Sequence, residues 1–326
     1  MCPRSCPACP KGLKTVVVRW PRTALVLASR WMLRPPPLRP GDRIAIVSPS
    51  SPVDRELFSR GVARLAQRYQ PVLDEHLFDA QRYLAGPDGV RGEALRAALG
   101  DPDTRAVFCA RGGSGAGRLL PLLDVAASAP KLFVGCSDGT VLHAALQSRG
   151  RTSVHGSVVT QLATQPQSAL ESLFHLLEGG LPPPLTGATP LVAGTAEGPL
   201  LGGNLAVLVT LLGTPWMPDT RGAVLLLEDD GEQPYRLDRM WTQLRNAGVL
   251  AGLAGIALGD FTNCERPDAD FSARDVLRSL AEETQLPCAL GFPVGHGPVN
   301  MPLSLGTRVR LDASAGTLTA LEAATQ

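Results

Sequence analysis

The segment Lys131–Gly150, KLFVGCSDGTVLHAALQSRG, decides how the chain is expected to fold around its site. A short apolar run precedes the pentapeptide Gly135–Gly139 (GCSDG), and a helix-like run follows it. One interpretation is a strand-to-helix turn in which the glycines relieve the backbone and Ser137 or Asp138 caps the helix. The other is a nucleophile elbow, because G-x-S-x-G here stands in the strand–turn–helix context that this motif needs.

The composition bounds the class of protein. A length of 326 residues predicts two domains, and 44% hydrophobic residues give each of them a core. The net charge of +1 predicts no basic face, and 5% aromatic residues predict no base-stacking platform, so no nucleic acid partner is expected. No apolar run reaches the length of a membrane span, so no membrane association is expected either.

Seven cysteines are present, an odd number, and four of them lie singly in apolar or turn contexts. This usage is typical of a reducing compartment and predicts a cytoplasmic location without a disulfide framework. Cys2, Cys6 and Cys9 resemble half of a metal site, but no matching group of His or Cys follows nearby. We therefore expect neither a metal nor another cofactor.

The N-terminal residues 1–39 contain Arg and Lys but no Asp or Glu. Arginines interrupt their apolar part, which is unlike a secretory signal. We interpret them as a disordered extension or as a misassigned start with Met32 as the true one, a transit peptide being the alternative. The remaining chain is divided into an N-terminal domain of residues 40–180, a linker of residues 181–194 and a C-terminal domain of residues 195–326.

Short apolar runs alternate with helical patterns from residue 40 onward, which predicts a parallel sheet covered by helices on both faces. Sites in such sheets form in the loops at the carboxyl ends of the strands. The predicted strands are Arg43–Val47, Ala106–Cys109, Ala223–Leu227, Ile256–Leu258 and Ala289–Phe292, with a closing hairpin of Val309–Leu311 and Leu318–Leu321. The predicted helices are Asp54–Tyr69, Gly92–Leu99, Arg118–Asp124, Ser168–Glu178, Gly202–Leu212, Arg236–Ala247 and Ser272–Thr284.

A nucleophilic serine needs a base within reach, because a free hydroxyl is scarcely ionised at neutral pH. His296 is the best candidate base, since it follows an apolar run and lies between Gly295 and Gly297, which permit an exposed, sharply placed imidazole. A G-H-G tripeptide also fits a surface turn. The other histidines are His76, His143, His155 and His175, and the first and last of these are interpreted as structural.

The base in turn needs a carboxylate that orients it. Glu228 directly ends the apolar run 223–227, where the sheet can fix its backbone while its side chain reaches a cleft. Asp229, Asp230 and Glu232 are rivals, and a solvated acidic turn is the alternative interpretation of all four. The chain order of a serine at 137, a glutamate at 228 and a histidine at 296 is compatible with a catalytic triad.

Two backbone N–H groups are candidates for an oxyanion hole: that of Asp138, directly after the serine, and that of Gly113 in the turn Gly112-Gly113. A competing interpretation makes the Gly112–Gly117 loop a nucleotide-binding module. The sequence from Gly113 approximates a dinucleotide fingerprint, and Asp138 follows the next strand as a ribose-binding acid does. That interpretation leaves Glu228 and His296 without a role.

Several motifs resemble one family, the LD-carboxypeptidases (muramoyltetrapeptide carboxypeptidases), which include microcin-immunity peptidases. They occur in the family's order across about residues 40–321, and together they are specific. The motifs are Pro40–Ser50 (PGDRIAIVSPS), Ala110–Arg118 (ARGGSGAGR), Val134–Asp138 (VGCSD) with Thr140 and Leu142-His143, Gly202–Leu205 (GGNL), Leu227–Glu232 (LEDDGE), Pro234–Arg239 (PYRLDR) and Gly295-His296.

The resemblance implies a serine peptidase whose nucleophile is Ser137, whose acid is Glu228 and whose base is His296. The matching oxyanion positions are Asp138 and Gly113. The implied α/β fold has an N-terminal flavodoxin-like parallel-sheet domain and a C-terminal α/β domain with a swivelling-type β core. The implied enzyme uses no metal, has its site between the domains, and is often a homodimer.

The implied reaction removes the terminal D-alanine from the murein tetrapeptide in cell-wall recycling, so a muropeptide is the expected substrate. The alternative within the family is cleavage of acyl-sulfamoyl nucleotide-peptides. An exopeptidase must also bind a terminal carboxylate, for which Arg111, Arg236 and Arg239 are candidates. Ser114, Gly139 and Ser157 depart from the usual family residues, a tyrosine, a bulky apolar residue and a proline, which affects substrate contacts more than the triad.

Overall fold

The structure is a computed structural model that describes residues 32–123 and 129–326. Residues 1–31 of the predicted extension, and Asp124 at the end of a predicted helix, lie outside the described residues. The described part of that extension, residues 32–39, packs against the fold, since Leu33 forms a β-bridge with Arg151 and Leu38 is buried.

The elements follow one another in a mostly alternating order of strands and helices. The strands are β1 (Arg43–Val47), β2 (Gln70–Leu73), β3 (Ala106–Cys109), β4 (Leu132–Gly135), β5 (Ser153–His155), β6 (Thr189–Val192), β7 (Thr195–Asn204), β8 (Val224–Asp230), β9 (Gly255–Thr262), β10 (Cys288–Leu290), β11 (Leu303–Leu305), β12 (Arg308–Asp312) and β13 (Thr317–Ala320). The α-helices are α1 (Arg55–Leu65), α2 (Asp88–Gly100), α3 (Thr140–Ser148), α4 (Val159–Leu162), α5 (Gln167–Leu177), α6 (Leu205–Val209), α7 (Pro234–Asn246) and α8 (Ala273–Thr284), and two 3-10 helices cover Ala116–Leu122 and Ser137–Gly139.

The first sheet has the strand order β11-β5-β4-β3-β1-β2. Its strands β1 to β5 pair in parallel, in the order 2-1-3-4-5 of flavodoxin-like folds. The inner strands β3 and β4 are buried along their whole length, as expected for a parallel sheet covered on both faces. β11 comes from the C-terminal part of the chain and pairs antiparallel with β5.

The second sheet is mixed and has the order β13-β12-β7-β8-β9-β10-β6. Strands β7 to β10 pair in parallel, while β6, β12 and β13 pair antiparallel. The predicted α/β fold, a parallel N-terminal sheet followed by a second α/β part with its own sheet, is confirmed.

Local signals in the sequence explain where the helices of the second part begin and end. Ser272 and Asp275 form a capping box at the start of α8, in which each side chain accepts from a backbone N–H of the other. Pro234 occupies the first turn of α7, where it costs no hydrogen bond. Gly248, with φ +79°, follows the end of α7 in a conformation that favours glycine.

One apolar cluster joins the two sheets. It contains Leu142 and Leu146 of α3 together with Leu205 of α6 and Leu237 and Trp241 of α7. Helix α3 directly follows the predicted elbow, so the helix that carries the elbow is buried where the two halves of the chain meet.

The segment around Gly202 differs from its predicted structure. The predicted helix Gly202–Leu212 begins only at Leu205, because β7 continues to Asn204. Gly202 and Gly203 have φ of +111° and +140°, which let the strand approach the backbone of Leu226 and the side chain of Thr140. The linker 181–194 stays a prediction, and Thr189–Val192 within it form the edge strand β6, which contains a proline.

Candidate active site

Ser137 follows β4 after one intervening residue, Cys136, and is the first residue of the 3-10 helix Ser137–Gly139. Its φ is +57°, a left-handed conformation that is uncommon for a residue other than glycine. The turn is closed by a hydrogen bond of 2.9 Å from the Gly139 N–H to the Cys136 carbonyl. A strained serine between a parallel strand and a helix is the geometry that a nucleophile elbow requires.

The turn Gly112-Gly113 packs against this serine. A Cβ atom on Gly112 would lie 2.7 Å from the Cβ and 2.9 Å from the Oγ of Ser137. A side chain at position 112 would therefore displace the serine, which explains the glycine. Gly113 has φ +107°, and a side chain there would collide with Ser51.

Two backbone donors beside the serine are available to a ligand. Within residues 32–123 and 129–326, neither the Asp138 N–H nor the Gly113 N–H donates a hydrogen bond. The Asp138 nitrogen lies 3.8 Å from the Cβ position of Gly112, so both groups border the Ser137 side chain. Donors that remain free next to a nucleophile are suited to hold an oxyanion.

The side chain of Asp138 ties the elbow to the glycine loop. Its Oδ2 accepts a hydrogen bond of 2.8 Å from the Ala116 N–H, at the start of the 3-10 helix Ala116–Leu122. Burial raises the pKa of the Asp138 carboxyl, although the hydrogen bond from Ala116 opposes this shift. In a dinucleotide site, the Ala116 N–H would face a phosphate at the start of an α-helix. Here it donates to Asp138 instead, so the geometry favours a nucleophile elbow over a nucleotide-binding loop.

Glu228 lies near the end of β8 and is fully buried. The pairing of β8 with β9 changes register here: Leu227 faces Leu258 and Asp229 faces Phe261, so two residues of β9 oppose Glu228. A bulge of this kind redirects a side chain at a sheet edge. It is the local reason why Glu228 can turn toward the loop that follows β10.

His296 lies in that loop, with its Nδ1 at 2.6 Å from the Glu228 Oε2. Its side chain is 21% exposed. Burial lowers the pKa of His296, but the hydrogen bond and the charge of Glu228 outweigh this effect and hold the pKa above its ordinary value. Because Nδ1 is held by the carboxylate, Nε2 is the ring atom that remains free to take a proton.

Gly295 allows this pair to form. Its φ is +120°, and a Cβ atom at this position would overlap with the carboxylate of Glu228. Gly259 on β9 is similarly close to the Cβ of Glu228. The glutamate is thus enclosed by backbone that only glycine permits.

The rival carboxylates have other partners. Asp229 accepts from the Asn204 side chain and from the Ala206 N–H, and its burial raises its pKa to about 6. Asp230 accepts from Asn263, and Glu232 pairs with Arg236. Of the four acids that the sequence offers, Glu228 is therefore the one that contacts a histidine.

The remaining histidines lie elsewhere. His143 is buried between the Ser153 Oγ at 2.8 Å and the Gly135 carbonyl at 2.9 Å, where burial lowers its pKa to about 4. His155 is also buried, and burial lowers its pKa to about 3. His76 pairs with Asp79 at the surface, and His175 contacts the Leu181 carbonyl.

The surroundings of Ser137 and His296 are connected through one side chain. Gln161 donates to the Gly295 carbonyl at 3.0 Å and accepts from the Cys136 thiol at 3.5 Å. Among the described residues, no hydrogen bond links the Ser137 hydroxyl to the His296 ring. Hydrogen bonds of this kind commonly tighten only when substrate is bound.

The three candidate arginines differ in the groups that their side chains contact. Arg111 adjoins Gly112 and donates to the Pro52 carbonyl at 2.6 Å. Arg236 pairs with Glu232, and the Arg239 guanidinium lies 5.3 Å from the ring centre of Tyr235. Arg111 is thus the arginine whose backbone neighbour contacts the serine.

The sequence interpretation gave no role to Asn204, although it singled out the segment GGNL. The Asn204 N–H donates to the Thr140 Oγ1 at 3.0 Å, which links β7 to the start of α3. Its side chain donates to Asp229 and accepts from the Val207 N–H as the cap of α6. The sequence feature that could have indicated this role is a glycine-rich strand end followed by an asparagine that caps a helix.

Within the part of the chain that the structure describes, no group of three or more His, Cys, Asp or Glu side chains is placed to hold a metal ion. The same residues include no helix with the length and apolar character needed to cross a bilayer.

The family models for LD-carboxypeptidases match both halves of the chain. The model of the N-terminal domain matches residues 44–156, and the model of the C-terminal domain matches residues 197–311. The chain belongs to the LD-carboxypeptidase family of serine-type hydrolases, and its resemblance to that family is confirmed.

Individual relatives agree with this assignment. The murein tetrapeptide carboxypeptidase of Pseudomonas aeruginosa is 33% identical over 83% of this chain and 94% of its own length. The crystal structure of a muramoyltetrapeptide carboxypeptidase from Oxalobacter formigenes is 31% identical, covers 85% of this chain and 97% of its own, and superimposes with a TM-score of 0.77. The microcin C7 self-immunity protein MccF, in complex with aspartyl sulfamoyl adenosine, shares the fold at a TM-score of 0.82 and 24% identity, covering 90% of this chain and 100% of its own.

Proposed function

We propose that this chain is a serine-type LD-carboxypeptidase that removes the terminal D-alanine from the murein tetrapeptide. The observation that carries the proposal is the buried Glu228 held at 2.6 Å from His296, in the half of the chain that packs on the elbow bearing Ser137. The names of the carboxypeptidase relatives supply the substrate class.

In the proposed reaction, Nε2 of His296 takes the proton of the Ser137 hydroxyl as Oγ attacks the carbonyl of the residue that precedes D-alanine. Glu228 keeps the imidazole oriented through Nδ1 and stabilises the imidazolium. A buried carboxylate at 2.6 Å suits this role, because its interaction with the cation is little screened by water.

The tetrahedral oxyanion is held by the N–H groups of Asp138 and Gly113, which have no other acceptor among the described residues. Collapse of the intermediate breaks the C–N bond as His296 returns its proton to the leaving amine of D-alanine. Water then attacks the acyl-enzyme by the same base, releasing the tripeptide and the Ser137 hydroxyl.

The terminal carboxylate of D-alanine needs a cation near the oxyanion hole. Arg111 is proposed for this role because its neighbour Gly112 contacts Ser137, whereas Arg236 is paired with Glu232. Arg111 is exposed and gives one donor to Pro52, which leaves the other guanidinium donors for a bidentate contact.

The test is incubation with murein tetrapeptide, followed by mass spectrometry of the products. Loss of one alanine by the unmodified chain, absent in Ser137→Ala, is expected. Intact tetrapeptide together with cleavage of aspartyl sulfamoyl adenosine would replace the proposal with an immunity-type activity. Thermal stabilisation by nucleotides without labelling of Ser137 by a fluorophosphonate would replace it with a nucleotide-binding module.

The proposal includes a cytoplasmic location and a homodimer. The location rests on cysteine usage, to which the structure adds that Cys109, Cys136, Cys264 and Cys288 are free and buried. The dimer rests on the family resemblance. Sedimentation of the purified chain tests it, and a monomer at all concentrations would contradict it.

A further inference from the structure

Two side-chain amides from distant parts of the chain close a ring around Gly295. The Asn300 Nδ2 donates to the Gln161 Oε1 at 3.1 Å, and the Gln161 Nε2 donates to the Gly295 carbonyl at 3.0 Å. The Gly295 N–H completes the ring by donating to the Asn300 Oδ1 at 3.0 Å. We call these two side chains, Gln161 and Asn300, the amide clamp.

The amide clamp is anchored in the half of the chain that carries the elbow. Gln161 belongs to α4, which packs on α1 behind the first sheet. Its Oε1 also accepts from the thiol of Cys136, the residue before the serine. The backbone N–H of Asn300 donates at 2.8 Å to the Oε1 of Gln165, one turn further along the chain.

Burial makes these hydrogen bonds costly to break. Asn300 is 1% exposed and Gln165 is 5% exposed, so water does not readily replace the lost partners. An unpaired buried polar group costs about 1–3 kcal/mol. The loop that begins at Gly295 is therefore held in a single place relative to α4.

We propose that Gln161 and Asn300 are positioning residues that fix His296 against the nucleophile, an inference that rests on the proposed function. Both backbone polar groups of Gly295 are bound by the amide clamp, and the next residue is the base. The space between Gly295 and Glu228 is also narrow, because a Cβ atom built on Gly295 would overlap with that carboxylate. Loosening the clamp moves the imidazole while leaving the Glu228–His296 pair to form at a displaced position.

The test compares Gln161→Met, Asn300→Ala and the double variant in steady-state cleavage of murein tetrapeptide. A misplacement of about 1 Å is expected to lower kcat about 100-fold, with KM within about threefold, since the substrate contacts remain. The double variant is expected to have the same kcat as the less active single variant, because both substitutions break the same ring of hydrogen bonds. Gln167→Met is the matched control and should keep full activity, since Gln167 is exposed and bonds with Arg64 and Glu171 instead of Gly295.

Two measurements separate positioning from a general loss of structure. The melting temperature of Gln161→Met, whose side chain is only partly buried, should stay within a few degrees of the unmodified chain. The apparent pKa of the base in the pH–rate profile should not change, since Glu228 still pairs with His296. Asn300→Asp keeps the acceptor for the Gly295 N–H and serves if Asn300→Ala does not fold. Full activity in Gln161→Met, or additive losses in the double variant, would overturn the proposal.

Hydrogen exchange distinguishes failure of this proposal from failure of the proposed function. The Gly295 amide is expected to be protected in the unmodified chain and to exchange faster in Asn300→Ala and Gln161→Met, whatever the substrate. If the unmodified chain cleaves no tetrapeptide, the proposed function fails, and faster exchange in the variants still supports the clamp. Unchanged protection of Gly295 in both variants would overturn the clamp, even in an active enzyme.

Discussion

The two halves of the molecule hold the proposed nucleophile and the proposed base by different means. Ser137 is held by its backbone, which has a φ of +57°, and Gly112 packs against its side chain. Among the described residues, its hydroxyl makes no hydrogen bond. His296 is fixed by side chains, because Glu228 binds its ring and the amide clamp binds the residue before it.

The difference lies in how far along the chain the supporting groups are. The elbow is built almost locally, from the end of β4 and the first turn before α3. The proposed base depends on Glu228, 68 residues away, and on Gln161, whose contact with Gly295 spans 134 residues. We therefore expect the nucleophile to tolerate distant changes, and the base to be sensitive to how the two sheets pack.

The largest expected effect comes from removing the nucleophile while relaxing its backbone. Ser137→Gly should abolish activity, with kcat falling by about 10⁴-fold or more, and should raise the free energy of unfolding by about 1 kcal/mol, because glycine adopts a positive φ without strain. Tetrapeptide assays and urea unfolding measure the two changes. Ser137→Ala is the control, since it loses the hydroxyl but keeps the strain. Equal stabilities for the two variants would show that the elbow stores no strain.

The second effect concerns the carboxylate behind the base. Glu228→Gln should lower kcat about 10³- to 10⁴-fold, because the amide can present its N–H to Nδ1 and favour the wrong tautomer. It should also move the ascending limb of the pH–rate profile to lower pH. Burial alone lowers the pKa of His296, and Glu228 is the main group that raises it above its ordinary value.

Asp230→Asn is the matched control for this change. Asp230 raises the pKa of His296 through its charge, without contacting the ring. Its substitution should move the limb in the same direction by a smaller amount and leave kcat at high pH nearly unchanged. A limb that stays in place in Glu228→Gln would mean that His296 is not the group that titrates.

The elbow and the acidic end of β8 were predictable from sequence because each follows an apolar run. The runs before Ser137 and Glu228 become β4 and β8, and loops at the carboxyl ends of parallel strands converge. The choice of Glu228 over Asp229 was not predictable by pattern, since adjacent residues of a strand point to opposite faces and a bulge decides which one reaches the loop.

The amide clamp had no signal in the sequence. Asn300 and Gln161 are ordinary polar residues, and their contact depends on two segments 139 residues apart meeting at one place. The same limit applies to β11, since three residues far along the chain complete the first sheet. Hydrophobic patterns in the sequence predicted many of the strands and helices. The contacts between the two sheets depend on tertiary packing, which local sequence patterns do not predict.

The third effect tests whether the base loop depends on shape as well as on hydrogen bonds. Gly295→Ala should lower kcat about 10²- to 10³-fold, because its Cβ would overlap with the Glu228 carboxylate and displace the pair. Gly291→Ala is the matched control, since Gly291 also has a positive φ, +100°, but has open space around its Cβ position. Similar activities in the two variants would attribute the loss to backbone strain instead of the collision.

The smallest effect contrasts two histidines through the pH dependence of stability. His143, buried beneath the elbow, has its pKa lowered to about 4 by burial, so the unfolded chain binds its proton first as the pH falls below 6.5. His143 should therefore lower the free energy of unfolding by about 1–2 kcal/mol as the pH falls from 6.5 to 5. This decrease should be absent in His143→Gln. His296 has a raised pKa, so its contribution is present below pH 6.5 and is lost as the pH rises through its folded pKa. Urea unfolding of His143→Gln between pH 5 and pH 6.5, and of His296→Gln from pH 6.5 upward, should thus change the pH slope in opposite directions. Slopes that change in the same direction would contradict a lowered pKa for His143 and a raised pKa for His296.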